Sequence, residues 1–115
     1  MANITKNQAR ARAKKERDNL QALADQLRER GDELRSSAEE LRTLAEELRD
    51  EADCIEPYDN RDDLTEQQEE RAEWLNDQAD RLDEQADNLD ERADEVDEQA
   101  EQVEETITEL EEIDY

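Results

Sequence analysis

Apolar residues in the second half of the chain recur by sevens. Leu75, Leu82, Leu89, Val96, Val103 and Leu110 keep that spacing, and Ala72, Ala79, Ala86, Ala93, Ala100 and Ile107 keep it between them. This is a heptad with Ala at a and Leu or Val at d, and it predicts an amphipathic helix built to lie against another helix. The first half repeats the scheme. There Leu20, Leu27, Leu34, Leu41, Leu48 and Ile55 hold d, while Ala24, Gly31, Ala38, Ala45 and Ala52 hold a.

Between the arrays runs IEPYDNRDDLT, residues 55–65. Pro57 cannot continue a helix, the Asp and Asn cluster favours a turn, and Thr65 with Gln68 reads as a capping box that restarts helical structure. The pattern therefore predicts helix 1 over about residues 5–55, a hinge over 56–64 and helix 2 over about 65–112, each helix roughly 70 Å long. A short hinge between two equal helices makes an all-α, antiparallel two-helix hairpin, a coiled coil forming a single domain.

Charge tests this topology, because e positions face e positions across an antiparallel pair. Helix 1 carries Arg28, Arg35, Arg42 and Arg49 at e, and helix 2 carries Asp83, Asp90, Asp97 and Glu104 there. Pairing Arg42 with Asp83, Arg35 with Asp90 and Arg28 with Asp97 keeps the residue numbers summing to 125, as a reversal in the low sixties requires. Exposed pairs are worth ~0 to 1 kcal/mol each, so such a column selects register more than it adds stability.

Alternating Ala and Leu leaves two packings open. One is a close two-helix coil lined by Ala; the other is a four-helix bundle formed by two hairpins, in which the small residue of one helix accepts the large residue of its neighbour. Leu23 and Leu44, both at g, widen the apolar stripe and favour dimerisation to the bundle. The Ala-at-a, Leu-at-d pattern resembles the repressor-of-primer family of helical hairpins, which dimerise into bundles. The resemblance stops at the a and d positions, and no RNA-contacting residues of that family can be placed on this chain.

Composition changes the picture in one respect. Asp and Glu number 39 against 15 Lys and Arg, a net charge of -24 over 115 residues, while Leu, Ile, Val and Phe total only 18. By composition alone that suggests disorder, yet one Gly and one Pro in a chain rich in Ala, Leu, Glu, Gln and Arg favour helix. From Asp80 to Glu105 the b and f positions of helix 2 (Asp80, Asp87, Asp94, Glu101; Glu84, Glu91, Glu98, Glu105) are all acidic and repel one another. Molar salt, with a screening length of about 3 Å, would relieve that repulsion. Abundant Asp and the preference for Arg over Lys resemble proteins of haloarchaea, which implies helix content that grows with salt.

Candidate chemistry is sparse. Lys6, Arg10, Lys14 and Arg17 share a helix face in a basic first segment that also holds Arg12 and Lys15. Such a face suits nucleic-acid phosphates, but cations at a helix start oppose the macrodipole. The expectation is that the hairpin sets them beside Glu104, Glu105, Glu109, Glu111, Glu112 and Asp114, whose charges are equally misplaced at the other helix end. Tyr58 and Trp74 form a candidate partner surface near the hinge. Asp59 to Glu70 matches a calcium loop poorly, with Arg61 and Leu64 at positions that need a ligand and Gly. Diffuse cation binding on the carboxylate faces is expected, with no defined metal site and no cofactor. Cys54, the single cysteine, excludes an intrachain disulfide.

There is no His, no Gly-rich phosphate loop and no cysteine set beside a base, so no enzyme is expected. No apolar run reaches the length of a membrane span or signal peptide, which points to the cytoplasm or a virion interior. The sequence thus reads as a structural or interaction protein, a coiled-coil scaffold or oligomerisation element adapted to high salt, with self-association as its first expected contact. Small acidic helical proteins of this kind resemble scaffolding and minor structural proteins of tailed viruses. The second reading is a small nucleic-acid-associated regulator that uses the basic segment.

Overall fold

The computed structural model describes residues 4–113. Two helices, α1 (Lys6–Asp53) and α2 (Glu66–Glu111), pack against each other as an antiparallel hairpin, and the described residues contain no strand. Both helices begin in the same way. The Gln8 N–H donates to Thr5 Oγ1 while the Thr5 N–H donates to Gln8 Oε1, and Thr65 and Gln68 repeat the exchange at the same distances, 3.1 and 3.0 Å. Each reciprocal box satisfies backbone N–H groups that the first turn leaves unpaired. Helix α1 stops short of the expected residue 55, with Cys54 N–H still bonded to the Asp50 carbonyl and Pro57 three residues further on.

In the hinge the Arg61 N–H donates to the Tyr58 carbonyl in a tight turn, and the Gln68 side chain donates to the Glu56 carbonyl at 2.9 Å. Gln68 thus both caps α2 and ties the hinge to it.

The hairpin comprises two compact units, a hinge unit of Leu34–Glu91 and an end unit of Met1–Glu33 with Arg92–Tyr115. In the hinge unit Ala38, Ala45, Ala79 and Ala86 have no exposed surface, and Ala52 and Leu75 are nearly as buried. The end unit repeats this with Ala24, Ala93 and Ala100, joined by Gly31 and Ile107. Gly31 is helical, with no positive φ, so its value here is that it lets a neighbouring backbone come close.

The d leucines behave differently. Leu20, Leu27, Leu41, Leu48, Leu82 and Leu89 are only half-buried. A helix turns about 100° per residue, so d lies about 60° to one side of a and e about 40° to the other. With a at the centre of the contact, e residues form one edge of the pair and d residues the opposite edge. The burial pattern follows that geometry, since Arg42, Arg49, Asp83, Asp90 and Glu104 at e are also half-buried. Alanine lines the centre of the contact and most d leucines flank it, with Leu75 near the hinge the buried exception.

The central positions should therefore tolerate no added volume. Ala86→Leu should cost about 1 to 3 kcal/mol by overpacking, whereas Leu44→Ala, at a position 43% exposed, should cost less than about 1 kcal/mol. Urea unfolding followed by circular dichroism checks the order of the two.

Candidate functional site

The e edge is closed by arginine. In the hinge unit Arg42 Nη2 donates to Asp90 Oδ2 at 2.7 Å and to Asp87 Oδ1 at 2.8 Å, and Arg49 Nη2 lies 2.7 Å from both Asp83 Oδ2 and Asp80 Oδ1. In the end unit Arg28 Nε donates to Glu104 Oε1 at 2.8 Å. These bonds, and the nearby carboxylate charges, raise the pKa of Arg28, Arg42 and Arg49 and keep them charged. Asp80 and Asp87 sit at b, on the acidic outer face that the sequence marks as repulsive. Here each shares a guanidinium with an e residue one turn away, an arrangement visible in the sequence as acids three residues apart facing an arginine.

The register corrects the expected pairing. Asp83 is held by Arg49, Asp90 by Arg42, and Arg28 by Glu104, so partners sum to 132 where 125 was expected. Asp97 reaches Arg28 only as a neighbouring charge, and Arg35 is half-buried at the same e position. On the opposite edge Arg71 and Glu51, both at g, pair at 2.9 Å and sum to 122. The two edges straddle about 127, so the chain reverses near residue 63 or 64, inside the hinge. An e residue lies beyond the a and d residues of its own layer, so e partners sum to about five more than the residues level with each other, and g partners to about five less. Equating the e sum with twice the reversal point displaces the column by one heptad.

The d edge is open. In the end unit Leu20, Leu23, Leu27 and Val103 line a groove of about 460 Å³ with Gln99 and Gln102 at its rim. Leu23 and Leu44 are 44% and 43% exposed, both on the g side of the leucine row.

One heptad beyond the Arg28–Glu104 pair, the e column reaches Gln21 and Glu111, the last residue of α2. Residues 6–15 are exposed apart from half-buried Ala9 and Ala13. Among the described residues, Lys6, Arg10, Arg12, Lys14, Lys15 and Arg17 form no ion pair, and none is formed by Glu105, Glu109, Glu111 or Glu112. Glu104 is occupied by Arg28, and Asp114 lies outside the described residues. Among the described residues no ion pair joins the two clusters.

Tyr58 and Trp74 are exposed at 63% and 57%, Tyr58 in the hinge turn and Trp74 on α2. Among the described residues neither ring makes a hydrogen bond or ring contact. Cys54 is exposed beside the hinge. Among the described residues no group of three or more Asp, Glu, Cys or His could hold a metal ion. No described helix is long and apolar enough to cross a membrane.

Glu104 offers a direct check on the register. The hydrogen bond from Arg28, and then its charge, lower the Glu104 pKa from the ordinary carboxylate value, with burial opposing. A carboxyl depressed in the folded state contributes stability above its unfolded pKa and loses it as pH falls through the folded one. Carbon-detected titration should find Glu104 below the ordinary range, and Arg28→Gln should return it there; an unmoved Glu104 would refute the pair.

No family model, curated protein or solved structure matches this chain, so its geometry alone bears on what it does.

Proposed function

We propose that this chain is a non-enzymatic coiled-coil interaction element, a scaffold or oligomerisation module that self-associates along its leucine edge. The observation that carries the reading is the asymmetry of the hairpin. Alanine fills its centre, arginine pairs close one edge, and beyond buried Leu75 and the Arg71–Glu51 pair near the hinge the half-buried d leucines with exposed Leu23 and Leu44 lie along the other. Apolar surface left in water in a regular row is worth burying, at roughly 25 cal/mol per Å². A second hairpin presenting the same edge buries both rows and completes a four-helix bundle.

The proposed setting is a salt-rich cytoplasm or virion, and the charge of -24 supports it. Screening removes repulsion along α2 and between copies, and excluded salts strengthen apolar burial. Assembly of a viral particle is one context in which such a module serves. Among the described residues the grooves are open to solvent.

Light scattering should show a dimer that tightens as KCl rises from about 0.1 M to about 1 M. Leu23→Glu with Leu44→Glu should keep the helix signal and give monomers; if this variant still dimerises like the parent, the leucine edge is not the interface.

A second reading rests on the basic face of Lys6, Arg10, Lys14 and Arg17, which form no ion pair among the described residues and fit nucleic-acid phosphates. Removing residues 1–17 should then abolish duplex DNA binding by the full chain in fluorescence anisotropy, and binding that survives the removal rejects this reading.

A further inference from the structure

We propose that the leucine edge of the hinge unit accepts a second copy in one orientation, with α1 of each copy facing α2 of the other and both hinges at the same end, and that Glu47 and Arg81 select it. The inference rests on the self-association reading and fixes the orientation that reading leaves open.

The distribution of acids points to it. From Glu66 to Glu91, eleven of the twelve b, e and f positions of α2 are acidic, yet none of the seven c and g positions is. Arg81 and Asn88 hold c, and Gln78 and Gln85 hold g, beside half-buried Leu82 and Leu89. Helix α1 carries the opposite rim, where Glu40 and Glu47 hold c on either side of exposed Leu44. Among the described residues Glu40, Glu47 and Arg81 are exposed and form no ion pair, although Asp77 and Glu84 lie one turn from Arg81 on its own helix. One rim of the open edge is anionic and the other is cationic or neutral. Such an edge complements a second copy of itself when α1 lies over α2.

Helix geometry puts both rims within reach of that second copy. Positions d and g lie about 60° and 120° from a, so a helix laid over the leucine row is centred between them, and c stands about 70° to its outer side. In the hairpin's own contact e and b stand about 40° and 100° from the centre, and both supply carboxylates to Arg42 and Arg49. Position c falls between those two angles, so a c residue reaches across a contact of the same kind.

A two-fold axis joins two such faces in one of two ways. Set across the helices, it lays the acidic rim of α1 on that of a second α1, and Arg81 on a rim with no acid. Set along the helices, it lays each α1 on the other copy's α2 with no axial shift. Residues level with each other then sum to about 127, as they do within the hinge unit. Glu47 with Arg81, and Glu40 with Asn88, both sum to 128. Each of these carboxylates therefore meets a donor within one residue of level, and the symmetry makes each pair twice. Charge of this kind fixes orientation, because the alternative brings like charges together.

Nitroxide pairs measure the orientation in the dimer. Ser36→Cys, Thr43→Cys and Asp50→Cys, each combined with Cys54→Ser, put a label on exposed f positions one heptad apart and off the leucine edge. An axis along the helices gives one label-to-label distance at all three sites. An axis across them changes it by up to about 21 Å per heptad, twice the rise of seven residues; that result overturns the orientation and leaves the leucine edge standing. Sedimentation measures the charges. At about 0.1 M KCl, where the screening length is about 10 Å, Glu47→Arg and Arg81→Glu should each weaken dimerisation about tenfold, and the two together should restore it. Net charge alone predicts a tighter dimer for Glu47→Arg. Circular dichroism verifies that all variants remain helical. Single variants that dimerise like the parent, or a double variant no tighter than the singles, overturn the role of the pair. The self-association reading fails separately, by a monomeric parent or by a Leu23→Glu, Leu44→Glu variant that dimerises as the parent does.

Discussion

Close approach of two helices over small residues is the constraint on which the rest of this structure depends. Alanine at a, with glycine once, carries no side-chain entropy into the contact and lets the helix surfaces meet without interdigitation. That closeness is what turns d and e into edges. Had a been leucine, the helices would stand further apart, with d drawn into the core and the arginines at e reaching across a wider gap. Arg42 and Arg49 instead lie close enough to touch two carboxylates each, at 2.7 to 2.8 Å. The choice of the smallest core residue thus fixes the reach of the ion pairs and the exposure of the leucines together.

The acidic surface looks less hostile to folding once those contacts are considered. A carboxylate at b one turn before another at e is a like-charge neighbour in an isolated helix and destabilises it by a few tenths of a kcal/mol. Across the hairpin, Asp80 with Asp83 and Asp87 with Asp90 become forks that each hold one guanidinium. The repulsion is converted into a bidentate site by the partner helix, so it opposes the isolated helix more than the folded hairpin. Pairs this exposed add little stability each. Their effect is on register, because a slip of one heptad along α2 leaves Arg28 beyond Glu104 or strands an acid near the hinge.

The two helices and their hinge were legible in the sequence because heptads, a lone proline and a capping box are local signals. Thr5 and Gln8 carry the same capping signal as Thr65 and Gln68, and only the weak apolar pattern around them hides it. Register was half legible. The column of Arg28, Arg42 and Arg49 against acids could be read from the heptads, but its phase depends on how far e partners sit from the level of the backbone contact, a quantity set by the packing of a.

The surfaces that remain open are therefore consequences of packing choices made elsewhere. An Ala-centred contact leaves most of its flanking leucines half-buried, since the e flank is given to ion pairs, and on the d flank only Leu75 and the Arg71–Glu51 pair near the hinge break the row. Apolar and cationic surface thus arise on a body that is otherwise anionic, and salt strengthens burial of the one while it screens the other.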